Sequence, residues 1–368
     1  GVKKELITEA ARMYAKAGSA AICYTMGITQ FSDGTSNVFS LSNLAILTGN
    51  LGKKGAGVNP LRGQNNVQGS CDMGALPNVI PAGAVNSAYA QEQARKVWHF
   101  ELNPEPGFKL TYAPDKMDSG ELKVLYVYGE NPVMSDPWTE HFVHATHHLD
   151  CFIVQDLFFT ESAQKADVVL PAAGWGEKDG TFINTSRRVQ RTRKASEPVG
   201  GVEPDWKVVC NIAKAMGLEG FDFLSAEEVW DELRKLMPKF FGGISYYRLE
   251  KLGGISWPCP DEDHPGTPDL YTDHKSMLPD GKFRLAPVLY ADDKDKRASM
   301  EAEFKAKMHI PDGYPVGSGA MSEVPDEVYP CLFTTGRKVY HYHTGTMTRE
   351  CPPLEYGAGI EGPLIEVS

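Results

Sequence analysis

The sequence lacks closely spaced cysteines. Its seven cysteines are scattered along 368 residues, and no two of them form a CxxC pair. Structural zinc sites and iron–sulfur clusters draw their thiolates from such pairs, so neither can be read from this spacing. An odd number of cysteines without a disulfide framework is typical of a reducing compartment.

Long apolar runs are also missing. No run reaches the length that crosses a bilayer, and the first five residues lead directly into a polar helical pattern. Unless a leader precedes Gly1, these features predict a cytoplasmic protein without a membrane span. The hydrophobic share of 42% is ordinary for a globular chain, and the length predicts two or three packed units.

Positive charge is scarce. The chain has 37 lysines and arginines against 48 aspartates and glutamates, which gives a formal net charge of -11. This balance argues against nucleic acid as the main partner. The one basic run, from Arg187 to Lys194, is interpreted as a solvated face, with contact to phosphates or to another part of the protein as the alternatives.

The segment 55–77 is rich in residues that favour irregular backbone. It contains five glycines and two prolines around a single cation, Arg62. Because this composition disfavours a regular helix or a central strand, we predict a loop. Its backbone N–H groups and amide side chains are suited to a large polar ligand, and a surface loop with Asx turns is the alternative.

Helical and strand patterns alternate elsewhere. Apolar spacing predicts helices over 3–16 and 36–47, with a short buried strand over 19–25 between them. Further predicted elements are strands over 122–128, 151–155 and 167–170 and helices over 136–148, 161–165, 205–217 and 229–236. The central part of this pattern is typical of a parallel α/β unit with right-handed crossovers, which binds ligands at the carboxyl ends of its strands.

Four histidines lie in or next to the predicted helix 136–148. His144 and His148 are four residues apart, a spacing that suits a metal ion. No third ligand is visible in this stretch, so we predict a solvated helix surface and no metal site.

Several motifs resemble one family. In chain order they are MGITQ at 26–30, the segment 55–77, GENPVMSD at 129–136, the long run from Val154 to Phe182, and TTGRKVYHYHTGTMTR at 334–349. They resemble the large subunit of molybdenum- or tungsten-dependent formate dehydrogenases, which belong to the bis-molybdopterin guanine dinucleotide oxidoreductases. The resemblance covers most of the chain.

The resemblance implies roles for individual residues. Arg62 would bind the carboxylate of formate as the catalytic residue, and the cofactor-binding residues would be Met26, Gly27, Gln30, Gln64, Gly129, Asn131, Ser135, Asp156, Asp205, Arg337 and His341. Without the resemblance, Met26 reads as a core residue, Asp156 and Asp205 as helix N-caps, and His341 as part of a solvated turn.

The resemblance also implies a fold and a segmentation. The fold would be α/β, with parallel Rossmann-like domains followed by the start of a β-rich C-terminal domain. The predicted segments are 1–64 as the end of one α/β cofactor-binding domain, 65–175 as a second α/β domain for a guanine dinucleotide arm, 176–325 as a connecting region, and 326–368 as the start of the last domain.

The implied activity is the two-electron oxidation of formate to carbon dioxide, or its reverse, at a molybdenum or tungsten bis-molybdopterin guanine dinucleotide centre. The implied partners are the remainder of the catalytic subunit and electron-transfer subunits. Family members carry a 4Fe-4S motif and a metal-ligating selenocysteine or cysteine in segments that this sequence does not contain. The alternatives are an inactive cofactor-binding fragment, half of a split subunit, another oxidoreductase of the family, or a nucleotide-binding module.

Overall fold

The chain folds into two compact units, each built from separate stretches of sequence. In a computed structural model, residues 2–31, 33–290, 294–307, 317–319, 326–331, 340–341 and 344–357 are described. The first unit comprises Gly1–Cys71, Phe182–Gln190 and Pro238–Leu332, and the second comprises Asp72–Thr181, Arg191–Met237 and Phe333–Ser368. The four-segment division stays a prediction.

The described strands are short. In chain order they are β1 Ala21–Tyr24, β2 Gly57–Pro60, β3 Val79–Ile80, β4 Gly83–Ala84, β5 Val124–Tyr128, β6 Cys151–Asp156, β7 Val168–Pro171, β8 Gly180–Ile183, β9 Arg188–Thr192, β10 Ile255–Ser256, β11 Val288–Tyr290 and β12 Gly317–Gly319. The sheets have the strand orders β1-β2, β3-β4, β5-β6-β7, β10-β9-β8 and β11-β12.

The described α-helices are α1 Lys4–Lys16, α2 Met26–Thr29, α3 Gly34–Leu47, α4 Val67–Asp72, α5 Ala88–Val97, α6 Ala113–Asp118, α7 Pro132–Ser135, α8 Thr139–Thr146, α9 Asp205–Ala215, α10 Ala226–Leu236, α11 Pro238–Phe241, α12 Tyr246–Leu252, α13 Lys294–Lys307 and α14 Pro352–Gly357. None of the helices in the described ranges has both the length and the apolar character needed to cross a membrane.

The first unit begins with a βαβ arrangement. Strands β1 and β2 pair in parallel, with Ala21 opposite Gly57 and Tyr24 opposite Pro60, and α2 and α3 connect them. The fully buried Asn50 fixes this connection, because its Oδ1 accepts from the Ala20 N–H at 3.2 Å and its Nδ2 donates to the Tyr14 carbonyl at 3.3 Å. A buried amide bonded on both sides holds α1 and α3 against the start of β1.

The second unit contains the predicted parallel sheet. Strand β6 is central and pairs in parallel with both β5 and β7. One face packs Phe152 and Val154 of β6 against Val127 and Ala163. Helices α6 and α8 form an adjoining core with the fully buried Met117 and Phe142. The prediction of a parallel α/β unit in this part of the chain is therefore confirmed.

Three local predictions are wrong. The segment 55–77 is not irregular throughout, because β2 pairs with β1 and α4 forms after Asn66. The predicted strand 19–25 is shorter and only half-buried, since it has one strand neighbour. The predicted helix 136–148 begins later, at Thr139, because Trp138 has non-helical backbone angles and Asp136 caps a turn by accepting from the Trp138 N–H at 2.9 Å.

Candidate functional site

In the first unit, two groups of predicted site residues lie at the same edge of a parallel sheet. Strands β1 and β2 end at the paired residues Tyr24 and Pro60, and the Leu61 N–H continues the pairing by donating to the Tyr24 carbonyl at 2.8 Å. Residues 26–30 follow β1 and residues 62–64 follow β2. The structure therefore brings Met26, Gly27, Gln30, Arg62 and Gln64 to one carboxyl edge. The strand pattern predicts this for the residues after β1 only, because β2 lies in the segment predicted as a loop.

This edge is open within the first unit. The side chains of Gln30, Arg62 and Gln64 are exposed, and Met26 is half-buried. A Cβ atom added to Gly27 would meet nothing within 4 Å. The backbone at Gly27 is thus accessible within the first unit.

The backbone of Arg62 is fixed although its side chain is exposed. Its N–H donates to the Thr185 hydroxyl at 3.0 Å, and that hydroxyl donates to the Pro60 carbonyl at 2.8 Å. The guanidinium lies 3.7 Å from the Cys71 sulfur. No carboxylate of the described residues pairs with it. The cation is therefore held at the sheet edge with donors that remain available to an anion.

The turn before α4 is held in one shape. The Asn66 side chain accepts from the Ile183 N–H at 2.9 Å, while its backbone adopts a φ of 61°. A Cβ atom on Gly69 would lie 2.0 Å from the Asn66 side-chain oxygen, so only glycine fits there. This packing holds the turn that leads into α4.

In the second unit, the candidate residues lie at the carboxyl edge of β5, β6 and β7. Gly129 follows β5 with a φ of 64°, and its N–H donates to the Gln155 carbonyl at 2.9 Å. Glycine is favoured in this left-handed backbone conformation. A Cβ atom added to Gly129 would meet nothing within 4 Å. Asp156 ends the neighbouring strand β6, so the two positions share one edge.

Asn131 is the anchor of the loop that follows β5. It is buried, and its Oδ1 accepts from both the N–H and the hydroxyl of Ser162, at 3.1 and 2.7 Å. Its Nδ2 donates to Glu161 at 2.9 Å and to the Thr346 hydroxyl at 3.3 Å. These four bonds use the full capacity of the amide. Asn131 therefore fixes the shape of the loop.

The end of this loop contains a polar atom that the sequence analysis missed. Ser135 is exposed and its hydroxyl donates to the Asn131 carbonyl at 3.1 Å. The adjacent Asp136 places its Oδ2 in a buried position without a hydrogen-bond partner among the described residues. Such an oxygen is costly to leave unpaired, so it indicates an acceptor site for a ligand N–H.

Asp156 is half-buried at the end of β6. Burial raises the pKa of its carboxyl group, and hydrogen bonds from the Leu157 and Phe158 backbone oppose the shift. The Leu157 N–H lies 2.7 Å from Oδ1. Its ionised form is therefore less stable in the folded chain than in water.

We expect Asp156→Asn to stabilise the chain at neutral pH. The folded-state pKa is raised, so the cost of ionisation is present above that pKa and disappears as the pH falls below the ordinary value. The amide keeps an oxygen for the Leu157 N–H, so the gain should be below about 1 kcal/mol at pH 7 and smaller at pH 4. Urea unfolding at both pH values measures this, with Glu219→Gln as an exposed control. An equal effect of Asp156→Asn at both pH values would contradict the assignment.

Asp205 belongs to a group of hydrogen-bonded polar side chains that includes Gln155 of β6. Its Oδ1 accepts from Gln155 at 3.0 Å, and Lys178 pairs with its Oδ2. Gln155 is fully buried and also bonds to the Tyr126 hydroxyl. Burial lowers the pKa of Lys178, against a smaller opposing effect of Glu177. Both carboxylate oxygens of Asp205 therefore have partners. Asp205 is the first residue of α9, and the N-cap is Pro204.

The last two predicted cofactor residues have different outcomes. His341 contacts the Thr348 hydroxyl at 2.9 Å and lies 3.4 Å from the Glu355 carboxylate. The same segment reaches the anchor of the β5 loop, because Thr346 accepts from Asn131. Arg337 lies outside the described residues.

Comparison with known proteins identifies relatives over the whole chain. The F420-dependent formate dehydrogenase subunit alpha of Methanocaldococcus jannaschii is 45% identical over an alignment of 372 residues, which covers 100% of this chain and 50% of the relative. The F420-dependent formate dehydrogenase 1 subunit alpha of Methanococcus maripaludis is 47% identical over 352 residues, covering 95% and 47%. Formate dehydrogenase H of Escherichia coli is 39% identical over 358 residues, covering 96% and 46%. The chain spans about half the length of these relatives.

A solved structure shares the fold. The acetylene hydratase from Pelobacter acetylenicus superposes with a TM-score of 0.51 at 15% sequence identity, covering 82% of this chain and 45% of that chain. The sequence profile of the family described as Molybdopterin oxidoreductase matches residues 5–215, a range that contains both parallel sheet edges. Since this match covers more than half of the chain, the chain belongs to the molybdopterin oxidoreductase family.

Proposed function

We propose that the protein containing this chain oxidises formate to carbon dioxide, or catalyses the reverse reaction, at a molybdenum or tungsten centre held by two molybdopterin guanine dinucleotides. The observation that carries the proposal is identity of 45% across the whole chain to a formate dehydrogenase alpha subunit. The names of the three relatives agree on formate and differ in F420. The proposal therefore includes the substrate and not the electron acceptor.

The residues of the chain fit a dinucleotide cofactor. In the second unit, Gly129 leaves space beside the backbone, and the buried Asp136 Oδ2 lacks a partner among the described residues. A carboxylate oxygen accepts the N–H groups of a guanine base, so Asp136 is suited to the nucleotide end. Asn131 would act by holding the loop, and Ser135 by lining it.

The first unit has its own candidate contacts to a pterin. Met26, Gln30 and Gln64 are proposed to contact the pterin beside the open backbone of Gly27. Asp156, Asp205, Arg337 and His341 are the further cofactor residues of the proposal. The remainder of the catalytic subunit would supply the metal ligand and a 4Fe-4S cluster, and separate subunits would receive the electrons.

Arg62 would bind the substrate. When bound, the metal–pterin group accepts the two electrons that leave formate. The guanidinium of Arg62 can hold the formate carboxylate through two parallel N–H bonds and orient its C–H bond. Its charge also attracts a small anion to a chain with a formal net charge of -11. The anchored backbone of Arg62 keeps this position constant.

We expect Asp136→Asn to weaken retention of the guanine nucleotide in the complete subunit. Asparagine keeps the oxygen that accepts from the Trp138 N–H but presents an NH₂ group where the guanine N–H groups need an acceptor. The loss should be about 1.5–3 kcal/mol, as for other hydrogen bonds to charged groups. Guanine nucleotide per polypeptide after a mild urea wash measures it, with the exposed Asp150→Asn as control. Equal retention in Asp136→Asn and wild type would refute the nucleotide role of Asp136.

The proposed function is tested on the complete subunit, purified anaerobically. We expect close to one molybdenum or tungsten and two guanine nucleotides per polypeptide, together with formate-dependent reduction of a viologen dye. A fully loaded subunit that reduces no dye with formate would contradict the proposed substrate. A folded subunit without metal or nucleotide would contradict the cofactor.

A further inference from the structure

A cluster of metal-ligating side chains contains none of the residues assigned to the sites described above. We propose that Asp118, His144 and His148 bind one divalent transition-metal ion of the zinc class at the surface of the second unit. Each residue offers one ligand atom, and the three atoms lie within 4.8 Å of one another. The stretch of sequence around the histidines shows no third ligand, but α6 brings Asp118 to them.

The ligand atoms are close to the spacing that a metal needs. Around a tetrahedral zinc ion, ligand atoms at about 2.0–2.1 Å from the metal lie about 3.3 Å apart. The His148 Nδ1 is already 2.9 Å from the Asp118 Oδ1, in a hydrogen bond whose proton a metal ion can replace. The His144 ring meets the His148 ring edge-on with centroids 5.5 Å apart. All three residues are exposed, so small rotations of their side chains close the remaining distance.

The Asp118 carboxylate is oriented by a second shell. His141 lies 2.7 Å from its other oxygen, Oδ2, and the ring of Trp138 packs against His141 at 4.4 Å between centroids. These contacts fix the direction of the carboxylate, as hydrogen bonds to metal-ligating carboxylates usually do.

The backbone supports the same geometry. Met117, the neighbour of Asp118, packs with Phe142 and Ala145 in the core between α6 and α8. His144 is in the last turn of α8, and the His148 N–H bonds to the Ala145 carbonyl at 3.0 Å. The rigid core thus keeps the three ligand positions on adjacent ends of two helices.

The ligand set determines the class of metal. Two imidazoles and one carboxylate suit zinc, copper and nickel better than calcium or magnesium, which prefer oxygen ligands. Three protein ligands leave a coordination position for water or for a ligand from another molecule. The site goes beyond the proposed function, because none of its residues belongs to the two sheet edges.

The test is isothermal titration of the whole 368-residue chain with zinc chloride, without a histidine tag and with a thiol-free reductant. Wild type is compared with His144→Ala, His148→Ala, Asp118→Asn and His141→Ala, and with His147→Ala as the matched control. His147 is also exposed and lies between two of the ligands in sequence, but it is outside the cluster. Zinc bound by cysteines contributes equally to all of these chains, so the differences report on the cluster.

We expect one zinc equivalent to be lost, or weakened about 100-fold or more, in His144→Ala and His148→Ala. His141→Ala should weaken it about tenfold, as for the loss of a second-shell partner. His147→Ala should bind like wild type. Near-ultraviolet circular dichroism checks the folding of each variant, and the exposed His144 makes its variant the least disruptive. Identical isotherms for wild type and a folded His144→Ala variant, or equal losses in His147→Ala and His144→Ala, would overturn the proposal.

Discussion

Replacing Arg62 with alanine in the complete subunit should lower kcat/KM for formate by about 150-fold or more, with metal and nucleotide content near normal. The change removes a charge-assisted, two-point contact to the substrate carboxylate, which corresponds to about 3 kcal/mol of transition-state stabilisation. The backbone at this position is held by Thr185, and the side chain packs only at the surface of the first unit, so the fold should tolerate the change.

Arg62→Lys separates charge from geometry. Lysine keeps the positive charge but loses the planar pair of N–H donors, so both formate binding and turnover should fall, by less than in Arg62→Ala. Arg95→Ala is the matched control, because Arg95 is an exposed arginine that pairs with Glu101 at 2.9 Å. Steady-state kinetics normalised to metal content measure the effect.

Two results would reject this role. Turnover per metal close to wild type in Arg62→Ala would show that Arg62 does not act on formate. Loss of the nucleotide or the metal in the same variant would move Arg62 from the substrate to the cofactor.

Lys178→Met should lower the free energy of unfolding by about 3 kcal/mol. Asp205 is 8% exposed and has the Gln155 amide as its other bond partner. Removing Lys178 would leave a buried carboxylate without its cation, and breaking a buried ion pair from one side typically costs 3–5 kcal/mol. The pair is not completely buried, so the lower end of that range applies.

The double variant Lys178→Met/Asp205→Asn is the control for Lys178→Met. An amide at position 205 still accepts from Gln155 and carries no charge, so at least half of the lost stability should return. Urea unfolding of the chain followed by circular dichroism measures both variants. A Lys178→Met variant within about 0.5 kcal/mol of wild type would show that the pair contributes little.

The parts of the fold that the sequence predicts correctly rest on local patterns. Strands β5, β6 and β7 are rich in β-branched and aromatic residues, and helical spacing separates them, which is enough to predict a parallel unit. The position of Gly129 at a carboxyl edge then follows from the connection rules of parallel sheets, whereas that of Arg62 does not, because β2 was not predicted.

The parts that sequence analysis missed depend on contacts between distant residues. Asp118 joins His148 across 30 positions, and Lys178 meets Asp205 across 27. Neither pairing has a signature in spacing, because α6 and α8, and the segments around 178 and 205, are brought together by packing. The same holds for Asn131, whose bonds to Ser162 and Thr346 involve partners in two other segments.

The start of α8 was predicted wrongly for a local reason, not because of distant contacts. Asp136 and Pro137 have the order of a helix N-cap and first-turn proline. The sequence therefore indicates a helix start at Asp136, three residues before the observed start at Thr139. Trp138 has non-helical backbone angles, and its N–H donates to one oxygen of Asp136. The other oxygen of Asp136 is buried, at the position that we propose for the nucleotide.

The most direct test of the central claim is the conversion of ¹³C-labelled formate by the metal-loaded complete subunit. We predict one labelled carbon dioxide for every two electrons delivered to the dye, at a rate proportional to the molybdenum or tungsten content. Dye reduction without labelled carbon dioxide, or a rate that does not change when the metal is withheld during growth, would contradict it.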